Sequence, residues 1–437
     1  MAFIRGDSLL VHDGGVGTDL LVTVAGDLHS CDWSIDDRWF ACVQGNAVAV
    51  TPGARFGNVA PSSIVLVAAA GGAPVRLSLA GGSASSPVWH PDGRRLLFLA
   101  NRLGSWDVYA QAIGSNGVSE GEPERLTTAL DAQTISLSGD ASRLVYSAYQ
   151  ARANVWSIPI PDGPPVNASG AVRLTSGNQL IEAVSVSPTG TWLVYDSNIA
   201  GSPNLYRIPA TGGEPEALTS DSTQEFRGDL SPSETELAFQ SYRTGSRDVF
   251  VMPVGGGSVR QVTRSPLHEA YPIWSPDGSA IAFFTIVPRD VYVVKRARDG
   301  QWGAPVLRTA GVLPHWSPDG QSLCFRDDRT SGIGIVGAYS GTPRVVYQPI
   351  PGSDDPHSEF ALFARTGREL YFKSHDRRGM ASIWSVPITG GRPRLLVKFD
   401  DPARQSNWAE IATDHKRFYF TIDESQSDLH LATLVSR

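Results

Sequence analysis

Pro272-Ile273-Trp274-Ser275-Pro276-Asp277-Gly278 and Pro314-His315-Trp316-Ser317-Pro318-Asp319-Gly320 are two copies of one unit, and Pro87-Val88-Trp89-His90-Pro91-Asp92-Gly93 is a third. Weaker copies begin at Cys31, Ile135, Val184, Gly228, Ala361 and Ala409. The residues aligned with Trp274 are Trp33, Trp89, Leu137, Val186, Leu230, Trp316, Phe363 and Ile411, all apolar. They recur at spacings of 56, 48, 49, 44, 44, 42, 47 and 48, the length of one four-stranded propeller blade. Within each copy proline presets a turn, aspartate bonds back to the backbone, and glycine takes a conformation other residues resist.

The rest of each repeat reads as three more strands. An apolar run follows the turn, as in Leu96–Leu99 or Ile281–Phe284. A third strand opens on Asp107-Val-Tyr109, Asp248-Val-Phe250 or Asp290-Val-Tyr292, and a Gly-Gly turn such as Gly212-Gly213 precedes the fourth. The strand-start aspartates fit a structural role, bonding nearby amides. A sheet with two apolar faces must pack against copies of itself. The expected fold is therefore all-β, a single closed propeller over residues 1–437 with repeats in 30–437. It has about nine blades, or eight if one weak repeat is not a blade. The ninth repeat supplies only three strands, Trp408–Ala412, Phe418–Ile422 and Leu429–Leu434; Asp19–Thr23, within residues 1–29, is expected to close the ring.

Bulk properties exclude several classes. A net charge of −7 without a basic block argues against nucleic acid or an anionic membrane surface as partner. No window approaches the ~20 apolar residues of a membrane span, so no direct membrane insertion is expected. The start lacks the apolar core of a signal peptide, although the chain can be a piece of a longer membrane-tethered protein. Three cysteines form no disulfide framework; Cys31 and Cys42 sit close enough in sequence for one bridge, with a reduced pair the expectation. A monomer without cofactors is expected.

With its Trp-Ser-Pro-Asp-Gly turns, Asp-Val-Tyr strands and Gly-Gly-Glu-Pro endings, the chain resembles the TolB-like propeller repeat family over about Cys31 to Leu434. Pro74–Leu77 and Val397–Pro402 also resemble the C-terminal propellers of bacterial membrane serine/threonine kinases. That resemblance implies an extracytoplasmic sensor. Kinase signatures and a Walker sequence are absent, and no segment outside the repeats could house a hydrolase domain. The resemblance implies a fold; it does not choose among scaffold, sensor and lyase.

Period-two alternation selects the side chains facing the channel. In the innermost strands that face carries Asp32, Arg227, Asp229, Tyr271, His315, Trp408 and Glu410, with His268 and Glu269 in the loops just above. Asp131, Glu182, Glu225, His357 and Glu359 extend the loop set. Each has a plainer reading. Arg227 and Asp229 can neutralise each other, His315 can bond a backbone carbonyl, and Trp408 and Tyr271 can be packing between blades. Asp32 and Glu410 are expected to meet across the ring closure. The acidic bias of this mouth favours a cationic or hydroxyl-rich ligand, or a basic peptide. The leading function is non-catalytic recognition of a protein or small molecule at the channel mouth, as the sensor of a signalling protein. The alternatives are a metal-dependent lyase of the oligogalacturonate type, with His268, His315 and His357 from successive repeats as ligands, and a purely structural scaffold.

Overall fold

In the computed structural model, residues 2–5, 8–12, 20–24, 28–45, 62–77, 83–102, 105–200, 202–220 and 223–434 are described. Strands dominate, and among the described residues the helical content is one 3-10 turn, Ala168–Gly170. The chain divides into two compact units, residues 151–424 and residues 1–150 with 425–437.

Residues 151–424 build six antiparallel sheets from the described strands. The first contains Val184–Val186, Trp192–Ser197, Asn204–Pro209 and Glu216–Ala217, hydrogen-bonded in that order. Three more of the same pattern start at Glu225, Glu269 and Val312. The fifth runs from Phe360–Phe363 to Arg394–Lys398 and carries Val166–Asn167 as a short parallel addition. The sixth is assembled from both ends of the unit. Ala412–Thr413 and the first half of Arg417–Thr433 come from one end, the second half of Arg143–Pro159 and Val172–Arg173 from the other. Arg417 ties the two ends together, its Nη2 donating to Ser157 Oγ at 2.9 Å.

Apolar faces join these sheets in sequence. Val194 and Leu205 pack on Leu237 and Phe239; Val249 and Val251 pack on Trp274 and Phe283. Cys324 and Ile333 pack on Phe363 and Phe372. The sixth sheet packs both ways: Phe418 and Phe420 lie in one cluster with Ile383 and Val397 of the fifth sheet. Val155 and Tyr419 lie in another with Leu193 and Tyr195 of the first. Buried aromatics of this kind contribute roughly 1.5–3 kcal/mol each. Trp274 and Trp316 are buried between sheets, as the repeat requires.

The other unit holds a three-stranded sheet (Ala2–Arg5, Ser8–Val11, Leu20–Val24) and two four-stranded sheets starting at Leu28 and Ala84. Ala132–Leu137 forms a further sheet with the remaining halves of the two long strands.

Three expectations are corrected here. Leu20–Val24 pairs with Ser8–Val11, so it does not add an outer strand to the last repeat; Asp19 lies outside the described residues. The last repeat is completed instead by residues 151–159, where Ala153, Val155 and Ile158 are buried. Its later strands are one continuous strand, Arg417–Thr433. Cys31 and Cys42 are joined in a disulfide, with Cα atoms 4.0 Å apart. Their neighbours Asp32 and Ala41 are paired across adjacent strands, which brings the two thiols together.

Candidate functional site

Innermost strands in five repeats carry a β-bulge at the same place. The register shifts between His29 and Asp32, Ser85 and Val88, Phe226 and Asp229, Ala270 and Ile273, and Val312 and His315. Each bulge puts one non-glycine residue in the left-handed region: Ser30, Ser86, Arg227, Tyr271 and Leu313, with φ of 48° to 60°. Such a residue costs of order 1–3 kcal/mol unless its surroundings hold it. At Arg227 and Tyr271 the amide at the bulge is met from the preceding sheet. Gln240 Oε1 accepts from the Tyr271 N–H at 2.7 Å, and Asp196 Oδ2 accepts from the Arg227 N–H at 3.3 Å. Lys373 sits at the equivalent place in its own sheet and donates to Ser406 Oγ at 2.7 Å and to the Trp408 carbonyl.

Asp196, Gln240 and Lys373 were not among the sequence candidates. The signal was present: each is a polar residue ten positions after the Trp274-like site, directly after an apolar run. All three are buried, at 2%, 1% and 0% exposed.

In the unit formed by residues 151–424, the inner strands line a cavity of about 600 Å³. Arg227, Asp229, Tyr271 and His315 all contribute to its wall. Its opening lies among the turns that follow the inner strands, with Pro188, Pro276, Pro318, Arg365, His415 and Lys416 around it. This is the opposite end from the loops expected to form the mouth. The Tyr271 ring meets Phe360 at 5.6 Å between centroids, although their sheets are separated by another sheet, and the Arg227 guanidinium lies 3.9 Å from the Tyr271 centroid.

Burial sets the electrostatics of the floor. It pushes the Asp229 carboxyl up to about 6, against the pull of Arg227 and of the Trp274 N–H, which donates to Asp229 Oδ2 at 2.8 Å. It pushes His315 down to about 4, against the hydrogen bond that His315 Nδ1 makes with the Trp316 carbonyl at 3.1 Å. His315 is thus a neutral ring near pH 7. Beyond the floor, burial raises Glu269 to about 7 although Thr263 and Ser265 both donate to it.

These shifts fix a pH dependence with a definite sign. A carboxyl whose pKa is higher in the folded chain takes up its proton on folding, so lowering the pH through that value stabilises the fold. Glu269 and Asp229 act this way between about pH 8 and 6, while His315 opposes them below its unfolded value of 6.5. The melting temperature of residues 151–424 is expected to rise by about 2–4 °C from pH 8 to pH 6, corresponding to roughly 1 kcal/mol. Glu269→Gln should flatten that rise. Calorimetry showing a monotonic fall over this range would contradict the assignment.

The remaining candidates stand apart from the cavity. Asp32 belongs to the other unit, where its Oδ2 accepts the Trp89 N–H at 2.6 Å beside a second cavity of about 490 Å³. Its place matches that of Asp229, and both carboxylates stitch one inner strand to the next. Asp32 and Glu410, expected to meet across the ring closure, fall in different units. Glu410 instead sits in the field of Arg227 and Lys373, and burial raises its pKa. Trp408 offers its carbonyl to Lys373. His268 Nδ1 accepts the Arg247 N–H at 3.2 Å. His357 is exposed, and His268, His315 and His357 do not assemble as a metal site; among the described residues no such cluster of three occurs. Of the loop carboxylates, Glu225 is ion-paired with Arg243 and Glu359 is hydrogen-bonded to His375, and the cavity lining carries Arg365 and Lys416 beside Asp414.

Asp107 holds its expected structural role, accepting from Thr127 Oγ1 and the Leu130 N–H, both at 3.0 Å. Gly117-Val118-Ser119-Glu120-Gly121 fits the letters of a hydrolase nucleophile motif. Ser119 opens an outer strand in a hairpin with Asp107–Ile113, not the strand-to-helix turn the chemistry needs.

Residues 165–312 match the TolB beta propeller domain, PD40. The repeats within these residues are TolB-like propeller repeats. No curated protein matches the sequence. Among solved structures, TolB from Acinetobacter baumannii aligns at 14% identity and TM-score 0.27, over 84% of this chain and 62% of that one. Oligogalacturonate lyase from Vibrio parahaemolyticus aligns at 13% identity and TM-score 0.39, over 82% and 96%. A nidogen/laminin complex gives 11% identity and TM-score 0.44, over 62% and 98%. At such scores these likenesses carry no argument about function. The TolB-like repeats account for the turns and the packing; what the cavity does rests on its own residues.

Proposed function

We propose that residues 151–424 form a closed ring of six blades that acts as a non-catalytic recognition module, holding a small molecule in the cavity lined by its inner strands. The observation that carries this reading is the cavity itself, whose wall brings together Arg227, Asp229, Tyr271 and His315 from three sheets. About 600 Å³ falls within the range of small-molecule sites. The polar groups on its wall are positioned for holding: Asp229 is engaged by a backbone amide, and His315 is kept neutral by burial and turned to a carbonyl. Neither is paired with a nucleophile. The Cys31–Cys42 bridge supports residence in an oxidising, extracytoplasmic compartment, in keeping with the sensor part of a signalling protein.

A metabolite library screened by thermal shift tests the reading, with Ile273→Trp as the comparison. Ile273 lines the cavity, and a larger ring there fills it. At least one compound is expected to raise the melting temperature of the native chain and lose that effect in the variant. Equal shifts in both proteins, or none in either, would refute a cavity ligand.

A further inference from the structure

The last repeat lacks most of its innermost strand. Phe360–Phe363 pairs with its neighbour over four residues and Glu269–Trp274 spans six, whereas Ala412–Thr413 pairs over two. Upstream, Gln405 and Asp423 form a single bridge, and residues 406–411 make no ladder pair. Side chains hold this segment instead. Lys373 Nζ donates to Ser406 Oγ and to the Trp408 carbonyl, and Asp423 Oδ2 accepts the Asn407 N–H at 3.3 Å. From the same strand as Lys373, His375 places its Nε2 2.8 Å from the Ser406 carbonyl oxygen and its Nδ1 2.6 Å from Glu359 Oε2.

Both ring nitrogens of His375 therefore face acceptors. A carbonyl oxygen only accepts, and so does an ionised carboxylate. Burial opposes ionisation of Glu359, but His375, Lys373 and Arg326 outweigh it and hold the carboxyl below its usual range. A neutral imidazole carries one N–H and satisfies one of these acceptors; the imidazolium carries two and satisfies both. We infer that His375 is a proton-operated latch: protonated, it ties residues 406–411 to the fifth sheet, and loss of its proton releases them. The inference goes beyond the recognition function proposed above and stands whether or not a molecule occupies the cavity. Residues 411–416 line that cavity and follow the segment directly, so the latch acts on one stretch of its wall. The charges around the ring are Glu359 with Arg326 behind it, Asp423 and Glu410 from the sixth sheet's side, and Lys373 and Asp376 on its own hairpin. Lys373 does not share the switch, because an amine that loses one of its three protons keeps two for its two acceptors. Asp423, which burial pushes up to about 6 against the pull of Lys373, loosens its hold on Asn407 only below that value. Histidine exchanges its ring proton within about pH 5 to 8. Between pH 6 and pH 8 the sign is thus fixed: the segment is held at the lower end and released at the higher.

Hydrogen exchange of the full chain at pH 6 and pH 8, corrected for the intrinsic rate, tests this. Relative to Trp192–Ser197 in the same chain, amides of residues 406–411 are expected to lose protection about tenfold at pH 8, the effect of one charge-assisted hydrogen bond. In His375→Gln the segment should be released at both pH values, with less than about a twofold difference between them. Glu359→Gln removes the carboxylate that favours the second ring proton, and should move the release to lower pH. The native ring gives a readout that needs no variant to fold. In chain labelled with nitrogen-15 at histidine, both His375 nitrogens should be protonated at pH 6 and only one at pH 8. A bare ring nitrogen at pH 6, or equal protection of the segment at both pH values in the native chain, would overturn the inference. So would His375→Gln keeping the native dependence, since the switch would then lie on another group. If His375→Gln does not fold, the ring signal and Glu359→Gln still decide.

Discussion

A Val155→Asp chain is expected to lose cooperative unfolding of residues 151–424 altogether. Val155 is 0% exposed and packs with Leu193, Tyr195 and Tyr419, where the sheet assembled from both ends of this unit meets its first sheet. A carboxylate there finds no cation, and an uncompensated buried charge costs several kcal/mol, about 3–5 where a partner is missing. Total stability is about 5–15 kcal/mol for a typical domain, and the same substitution also breaks a strand on which the assembly depends. Val145→Asp is the control, since Val145 is 40% exposed on the same long strand. Hydrogen exchange should show amides of residues 151–424 losing protection in the first variant and keeping it in the second. Native-like protection in Val155→Asp would show that the strand is not what completes the unit.

Reduction is expected to destabilise the other unit selectively. The Cys31–Cys42 bridge spans a separation of 11 residues. Cross-linking a loop of that size stabilises by about 3 kcal/mol through the unfolded chain. Removing it should lower the melting temperature of residues 1–150 with 425–437 by about 6–12 °C, and leave residues 151–424 unmoved. Cys324 gives no confounding signal, because it is buried beside Ala361 and burial pushes its thiol well above the usual range. A Cys31→Ala, Cys42→Ala chain should melt at the reduced position with or without reductant. Identical melting of the native chain in both conditions would remove the bridge from the account.

Local chemistry made the repeat legible. Ser275 Oγ donates to Asp277 Oδ1 at 2.6 Å, and Asp277 accepts the Ser279 N–H at 3.0 Å, so the turn is written within five residues. The same bonds recur at Ser317 and Asp319. Alternation also placed Arg227, Asp229, Tyr271 and His315 on one face, and all four line the cavity. The sheet assembled from both ends of its unit was illegible because Arg417 and Ser157 are 260 residues apart, and no local pattern marks which segment completes a sheet. The bulges broke strict alternation upstream of Arg227 and Tyr271, so Glu225 and Glu269 turned out to be buried and bonded rather than presented to a ligand. The disulfide depended on cross-strand register, which spacing alone does not reveal.

The left-handed residues have one more implication. Ser30, Ser86, Arg227, Tyr271 and Leu313 occupy the same kinked place in their strands, yet they are a hydroxyl twice, a cation, a phenol and an alkyl group. Ladder pairing resumes on either side of each kink, so the residue at its apex can be exchanged without shifting the strands. A lineage could retune the group presented at each kink through single substitutions while the strands on either side stay fixed.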